Sequence, residues 1–120
     1  MAINLAVYEF DAQTIGTTEV DLTSNTTTLQ TRTAAGIYQL WLDISAITAT
    51  EAYELTFYER ATATSTQRAF HRITFTGVQS EPGYPSPTMM MGRGWTIGFR
   101  RLPSASGVDR AFSWSIRAVT

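Results

Sequence analysis

Apolar and polar residues alternate with a period of two along most of the chain. Tyr38, Leu40, Leu42 and Ile44 form one set, and Tyr53, Leu55 and Phe57 another. Ile73 and Phe75, then Trp95, Ile97 and Phe99, then Phe112, Trp114 and Ile116 continue the series. An extended strand turns successive side chains to opposite faces, so each set lines one face of a sheet. The sets are separated by Gly, Pro, Ser and Thr, which favour turns. No run of ten or more residues carries the 3.6-residue period of an amphipathic helix.

The pattern predicts the elements one by one. Ile3 to Phe10 alternates Ile3, Leu5 and Val7 against Asn4, Ala6 and Tyr8, and reads as a first strand or an arm that docks elsewhere. Thr17 to Leu22 and Thr28 to Thr33 are short candidate strands on either side of the polar turn 23–28. Ile37 to Ile44 is the most strand-like run, broken by Ser45 to Thr50 as one helical turn. Ala52 to Ala61 and Gln67 to Thr76 form a hairpin across a five-residue loop, 62–66, too long to fix the register. Val78 to Thr88 holds Pro82, Pro85 and Pro87; without amide donors it reads as an extended connection or a sheet edge. Met89 to Met91, Trp95 to Leu102 and Ala111 to Val119 complete the series, with Pro103 to Arg110 joining the last two. Seven to nine short strands with regular turns predict an all-β fold, an antiparallel two-sheet β-sandwich of immunoglobulin-like or jelly-roll type. Residues 1–15 are then a strand or docking arm, and 16–120 the sandwich domain.

Composition narrows the function classes. With 43% hydrophobic residues in 120, the chain is long and apolar enough to close one core without staples. Cysteine is absent, which removes disulfides and thiolate chemistry. The net charge of −1 gives no bias toward nucleic acid or an anionic membrane. The start, Met1 to Leu5, has neither a basic region nor a long apolar run, so no signal peptide or membrane span is expected. Threonine occurs 20 times, in keeping with half-exposed strands. All nine basic residues are arginine, which suits planar, multidentate contacts with carboxylates.

Chemistry-bearing groups are few. His71 is the sole histidine, on the strand face of Ala69, Ile73 and Phe75. Without a second histidine or any cysteine, transition-metal sites lack their usual ligands. Glu19 with Asp21, Glu9 with Asp11, and Glu51 with Glu54 are carboxylate pairs; at strand spacing Glu19 and Asp21 share a face, as a calcium site or glycosidase pair would need. No Asp-rich loop accompanies them, and a solvated strand face explains them as well. Gly92-Arg93-Gly94 lacks the strand–helix context and lysine of a phosphate loop. Asp109-Arg110, near Glu81 or Asp43, is a candidate for surface ion pairing. No Gly-x-Ser-x-Gly elbow gives a serine nucleophile. Arg93, Arg100 and Arg101 make only a modest basic patch. The expectation is therefore a binding protein without a catalytic, metal or cofactor site.

Contact residues are the remaining candidates. Met89, Met90 and Met91 interrupt the alternation, so at least one faces away from the core, and methionine adapts well to partner surfaces. Ile3, Leu5 and Val7 on the first segment, Tyr84 in the proline-rich stretch and Arg93 in the glycine turn complete the partner-binding set. Trp41, Tyr58 and Trp95 are candidate exposed rings, for protein contact or for stacking against a sugar.

The stretches Gly36 to Ile44, Tyr53 to Arg60, Gln67-Arg68 and Asp109 to Arg117 recur in an order that resembles small β-sandwich structural proteins of tailed bacteriophages, from about Thr17 to Val119. Some phage proteins of this size class are capsid decoration, or cement, proteins. The resemblance implies a virion location after synthesis in the host cytoplasm. It implies the major capsid protein or another virion protein as partner, and a homo-oligomer with trimers favoured. It brings no catalytic residues, and with the near-neutral charge no enzyme activity, no nucleic acid and no membrane are expected. A tail, neck or fibre module, and a carbohydrate-binding sandwich, are the alternatives.

Overall fold

The computed structural model describes residues 2–103 and 107–119. Within them the chain forms nine strands and no helix: β1 (Ile3–Ile15), β2 (Val20–Asp21), β3 (Gly36–Asp43), β4 (Ala52–Glu59), β5 (Arg68–Thr76), β6 (Gly83–Pro85), β7 (Met89–Met91), β8 (Thr96–Arg101) and β9 (Arg110–Val119). All pairs are antiparallel. The first sheet runs β1-β9-β3-β6, with β7 also pairing β3; the second runs β2-β8-β4-β5. The expected two-sheet β-sandwich is the observed fold.

The alternation in the sequence is what seals the interior. Leu40, Leu42, Phe112, Trp114 and Ile116 turn inward from the first sheet, and Tyr53, Leu55, Phe57, Ile97 and Phe99 from the second. Register sets like against like: Leu40 opposes Ile116, and Leu55 opposes Phe99. Two aromatic clusters tie the sheets together. Phe112 meets Tyr53 and Phe99 at ring-centroid distances of 4.8 and 5.0 Å, and Trp95 lies 4.5 Å from Tyr38. Each such contact adds about 0.5–1.5 kcal/mol beyond the area it buries.

Three details depart from the sequence-based expectation. The first strand extends past Phe10 to Ile15, carried across two irregularities in its register with β9, and Ala12 takes a positive φ of 52° at the second. Residues 28–33 form no strand; Arg32 makes a single bridge to Trp95. Residues 45–50 make turns, not a helical turn, and Asp43 Oδ1 accepts from the Ser45 amide to start them. The proline-rich stretch, expected as an extended connection or a sheet edge, carries a short edge strand, β6, against Trp41–Asp43. Between β6 and β7, Ser86 stands in for the interrupted ladder: its amide donates to Leu40 O, its hydroxyl accepts from Leu40 N and donates to Pro87 O. Of the connection from Pro103 to Arg110, residues 104–106 lie outside the described ones.

Candidate docking surface

The outer face of the first sheet is defined by the residues left over from the core pattern. On β9 these are Ser113, Ser115, Arg117 and Val119; on β3 they are Ile37, Gln39, Trp41 and Asp43. Register lines them into rows. Ile3 opposes Val119, Val119 opposes Ile37, and Ile37 opposes Met90, so one row of four apolar side chains crosses β1, β9, β3 and β7. Ile3 is 64% exposed and Met90 84%, and Leu5 beside them is also exposed. Leu5, Gln39, Trp41 and Arg117 join this row around a shallow groove of about 170 Å³.

The opposite half of the same face is polar. Glu9, Ser115, Trp41 and Pro85 form a second row, and Ser113, Asp43 and Gly83 a third. All of these but Pro85, together with Asp11 and Tyr84, line an open groove of about 680 Å³. Asp11 accepts from the Ser113 hydroxyl, which in turn accepts from the Ala12 amide. None of the four ion pairs among the described residues involves Glu9, Asp11 or Asp43. Hydrogen bonds from Ser45 lower the Asp43 pKa, so it is firmly anionic at neutral pH. Arg117 divides the halves. Its guanidinium stacks 4.3 Å from the Trp41 ring centre and its Nε donates to Ser115 Oγ.

Of the residues expected to meet a partner, Ile3, Leu5, Met90 and Arg93 are exposed. Met91 is 5% exposed, because in the alternating triplet it points into the core. Tyr84 turns inward against Phe75, at 5.0 Å between ring centres, and burial raises its pKa. Val7 and Met89 are half-buried against the core. These four are core or core-flanking residues rather than free contacts. Among the rings, Trp41 is half-exposed. Trp95 is fully buried and donates its Nε1–H to Ala34 O, so it offers no platform. Tyr58 donates to both Glu19 oxygens; burial first, then that carboxylate, pushes its pKa up to about 12.

Of the apolar strand residues outside that expectation, Ile37 and Phe70 are exposed and Val119 is half-buried. Each is an apolar residue out of phase with its strand. Ile37 and Val119 sit on the solvent side of strands whose core positions are Tyr38, Leu40 and Leu42, and Phe112, Trp114 and Ile116. Phe70 sits in a register irregularity, between the pairs Phe57–His71 and Tyr58–Ala69. With Met89, Met90, Met91 and His71 it lines a cleft of about 430 Å³ between the sheets.

The carboxylate pairs separate. Asp21 is fully buried and accepts from Thr23 N, Thr23 Oγ1, Gln30 N and Thr96 Oγ1, while Glu19 crosses the outer face of the second sheet to Tyr58. They share no face, and Asp21 serves to hold the turn 23–30. Glu51 is fully buried. Burial would raise its pKa, but amide donors from Thr48 and Val108 and the Arg110 guanidinium, 3.0 Å away, hold it down to about 2. Glu54 instead meets Arg100 and Arg72. Arg110 pairs with Glu51 and Asp109 with Arg101, so the expected pairs with Glu81 or Asp43 do not form. His71 is exposed, against the Phe57 ring. No group of three or more metal-ligating side chains occurs among the described residues, and no helix there is long and apolar enough to cross a membrane.

No family model matches the chain, and no curated protein is similar to it in sequence. Among solved structures, Eiger TNF from S. frugiperda is similar at a TM-score of 0.38 and 11% identity, over 73% of this chain and 62% of that one. The chain thus spans less than two thirds of that neighbour, and a likeness at this level assigns no function.

Proposed function

We propose that the chain is a structural protein of a tailed-phage virion, a decoration protein that binds the assembled shell through the outer face of its β1-β9-β3-β7 sheet and acts by binding alone. One observation carries the reading: the row Ile3–Val119–Ile37–Met90, apolar from end to end on the solvent side of a sheet. Scattered exposed apolar residues are ordinary, but a contiguous apolar row beside a polar half-face is the pattern of a contact surface. The resemblance to phage structural proteins names the partner, the major capsid protein or another virion component. Binding the shell and not the unfolded subunits would stabilise it by about 2.7 kcal/mol per site at a hundredfold excess over the dissociation constant.

Mass spectrometry of purified particles tests the location. The chain should be present in stoichiometric amounts, and its absence would sink the proposal. Ile37→Asp and Met90→Glu should abolish particle binding while leaving the fold's stability within about 1 kcal/mol, because both residues lie outside the core. A tail, neck or fibre position differs only in where electron microscopy finds the chain. The carbohydrate alternative keeps Trp41 alone as a platform, and Arg117 already occupies one face of that ring.

A further inference from the structure

The net charge of −1 is a cancellation between two ends of the sandwich. Strand register defines the ends. Ile3, Ile37 and Val119 meet at one of them, where Gly36 opposes Met91, Glu59 opposes Arg68 and the Arg60 amide donates to Arg93 O at 2.8 Å. Ile15 opposite Arg110, Asp43 opposite Gly83 and Tyr53 opposite Arg101 mark the other. The first end holds Arg32, Arg60, Arg68, Arg93 and Arg117 against one acid, Glu59. The second holds Asp11, Asp43, Glu51, Glu81 and Asp109 against Arg101 and Arg110.

Internal pairing does not neutralise the basic end. The four ion pairs among the described residues use Arg72, Arg100, Arg101 and Arg110, none of them at that end or on its strand termini. Glu59 is already engaged: its Oε1 accepts from the amides of Gly92 and Arg93. Arg32 is held by Thr23 and the Tyr8 ring. Arg68 and Arg93 are exposed, and the buried Nε of Arg60, beside them, has no hydrogen-bond partner. A guanidinium without an internal partner presents a planar fork suited to a carboxylate.

These arginines border the apolar row of the proposed docking face. Arg117 lines the shallow groove with Ile3, Ile37 and Val119, and Arg93 lies in the turn that leaves β7, just past Met90. An apolar centre rimmed by arginine has the composition of a protein–protein contact. Nucleic acid would meet the arginines through its phosphates and leave the apolar row uncovered.

We propose that the chain docks on a protein surface whose acidic side chains surround an apolar patch, and that those acids pair with Arg60, Arg68, Arg93 and Arg117. This assignment rests on shell binding and adds the chemistry of the partner's side. The carboxylates at the far end of the sandwich repel the same acids, so the chain docks in one orientation.

Co-sedimentation of the full chain with purified particles tests it. Wild-type affinity should fall about tenfold or more as salt rises from about 0.05 to about 0.5 M. Arg68→Glu with Arg93→Glu should weaken low-salt binding by about tenfold or more and flatten the salt dependence. Both arginines are exposed, so this variant should keep the wild-type melt. Glu81→Arg, an exposed charge reversal at the opposite end, should leave binding within about twofold of wild type. Wild-type binding that ignores salt, or that survives the Arg68 and Arg93 reversals, would overturn this proposal and leave shell binding through the apolar row standing. A wild type that binds no particle removes the shell reading, and this one with it. Fluorescence anisotropy with a duplex DNA oligonucleotide should show no binding at physiological salt; binding that the same reversals abolish would assign the basic end to nucleic acid instead.

Discussion

At the scale of single residues, the charged groups that the sequence made look like chemistry are mostly structural. Glu51 is the clearest case. Its pKa is about 2 against an ordinary 4.5, so above pH 4.5 the folded and unfolded chains are both ionised there and the full stabilisation is present. As the pH falls from 4.5 toward 2, the unfolded chain takes up a proton that the folded chain refuses, and the stabilisation drains away. Glu51→Gln should therefore lower the urea midpoint at neutral pH, at a cost of about 1–3 kcal/mol. The gap from wild type should close across that acid window. A gap that is constant with pH would show that the carboxylate charge contributes nothing. Gly98 makes a second point. A β-carbon there would run into the Glu19 side chain on its way to Tyr58, so a strand position has no side chain in order to let another one pass. Gly98→Ala should displace Glu19 and bring the Tyr58 pKa down from about 12, read by ultraviolet titration against the Tyr58→Phe variant. An unmoved titration would mean that burial alone sets it.

At the scale of elements, what period-two alternation can encode was legible and what register encodes was not. β3 and β9 fall where the alternation put them because each buries one full face, and a one-residue slip would expose it; β4 and β8 bury most of both faces, and β5 follows β4 with Phe75 alone fully turned in. β1 beyond Phe10 was hidden because Ala12 bends the strand at positive φ and resets the phase before Ile15. The prolines of the 78–88 stretch left an extended connection or an edge open, and β6 is the edge, where Pro85 is tolerated because the outward amide is not needed. The apolar row on the outer face is a register property. Ile3, Ile37, Met90 and Val119 lie far apart in sequence, and only pairing shows that they are neighbours, although Ile37 and Val119 are visibly out of phase in their own strands. Met91 and Tyr84 turn inward for the converse reason: alternation about Met90 buries the one, and the other packs against Phe75. The two halves of β1 should respond differently to truncation. Residues 2–6 are exposed on both faces, so a chain starting at Val7 should melt within a few degrees of wild type. A chain starting at Gly16 loses Ile15 from the core and the cover of Tyr8 and Phe10, and should not fold. Circular dichroism melts decide this, and equal loss in both truncations would refute the division.

At the scale of the whole molecule, connectivity separates what forms early from what closes the fold. β9 lies between β1 and β3, so the last strand of the chain is central to the first sheet and pairs with the first strand. Ile3 opposes Val119 across nearly the full length of the sequence, whereas β4 and β5 are joined by a short loop. Closing the hairpin costs little chain entropy, and placing β9 closes far larger loops. A fold so rich in distant pairings should refold in about milliseconds to seconds, followed by stopped-flow fluorescence of the buried Trp95 and Trp114. Two conservative truncations then test the order. Ile116→Val, in the centre of β9 against Tyr8 and Leu40, should cost about 0.5–1.5 kcal/mol and act by speeding unfolding. Leu55→Ala, on β4 opposite Ile73 and Phe99, should cost about 2–5 kcal/mol and act mainly by slowing folding, because the β4–β5 hairpin forms first. The reverse assignment, with Ile116→Val slowing folding and Leu55→Ala speeding unfolding, would place β9 in the nucleus and make the terminal strands, not the hairpin, the start of the sandwich.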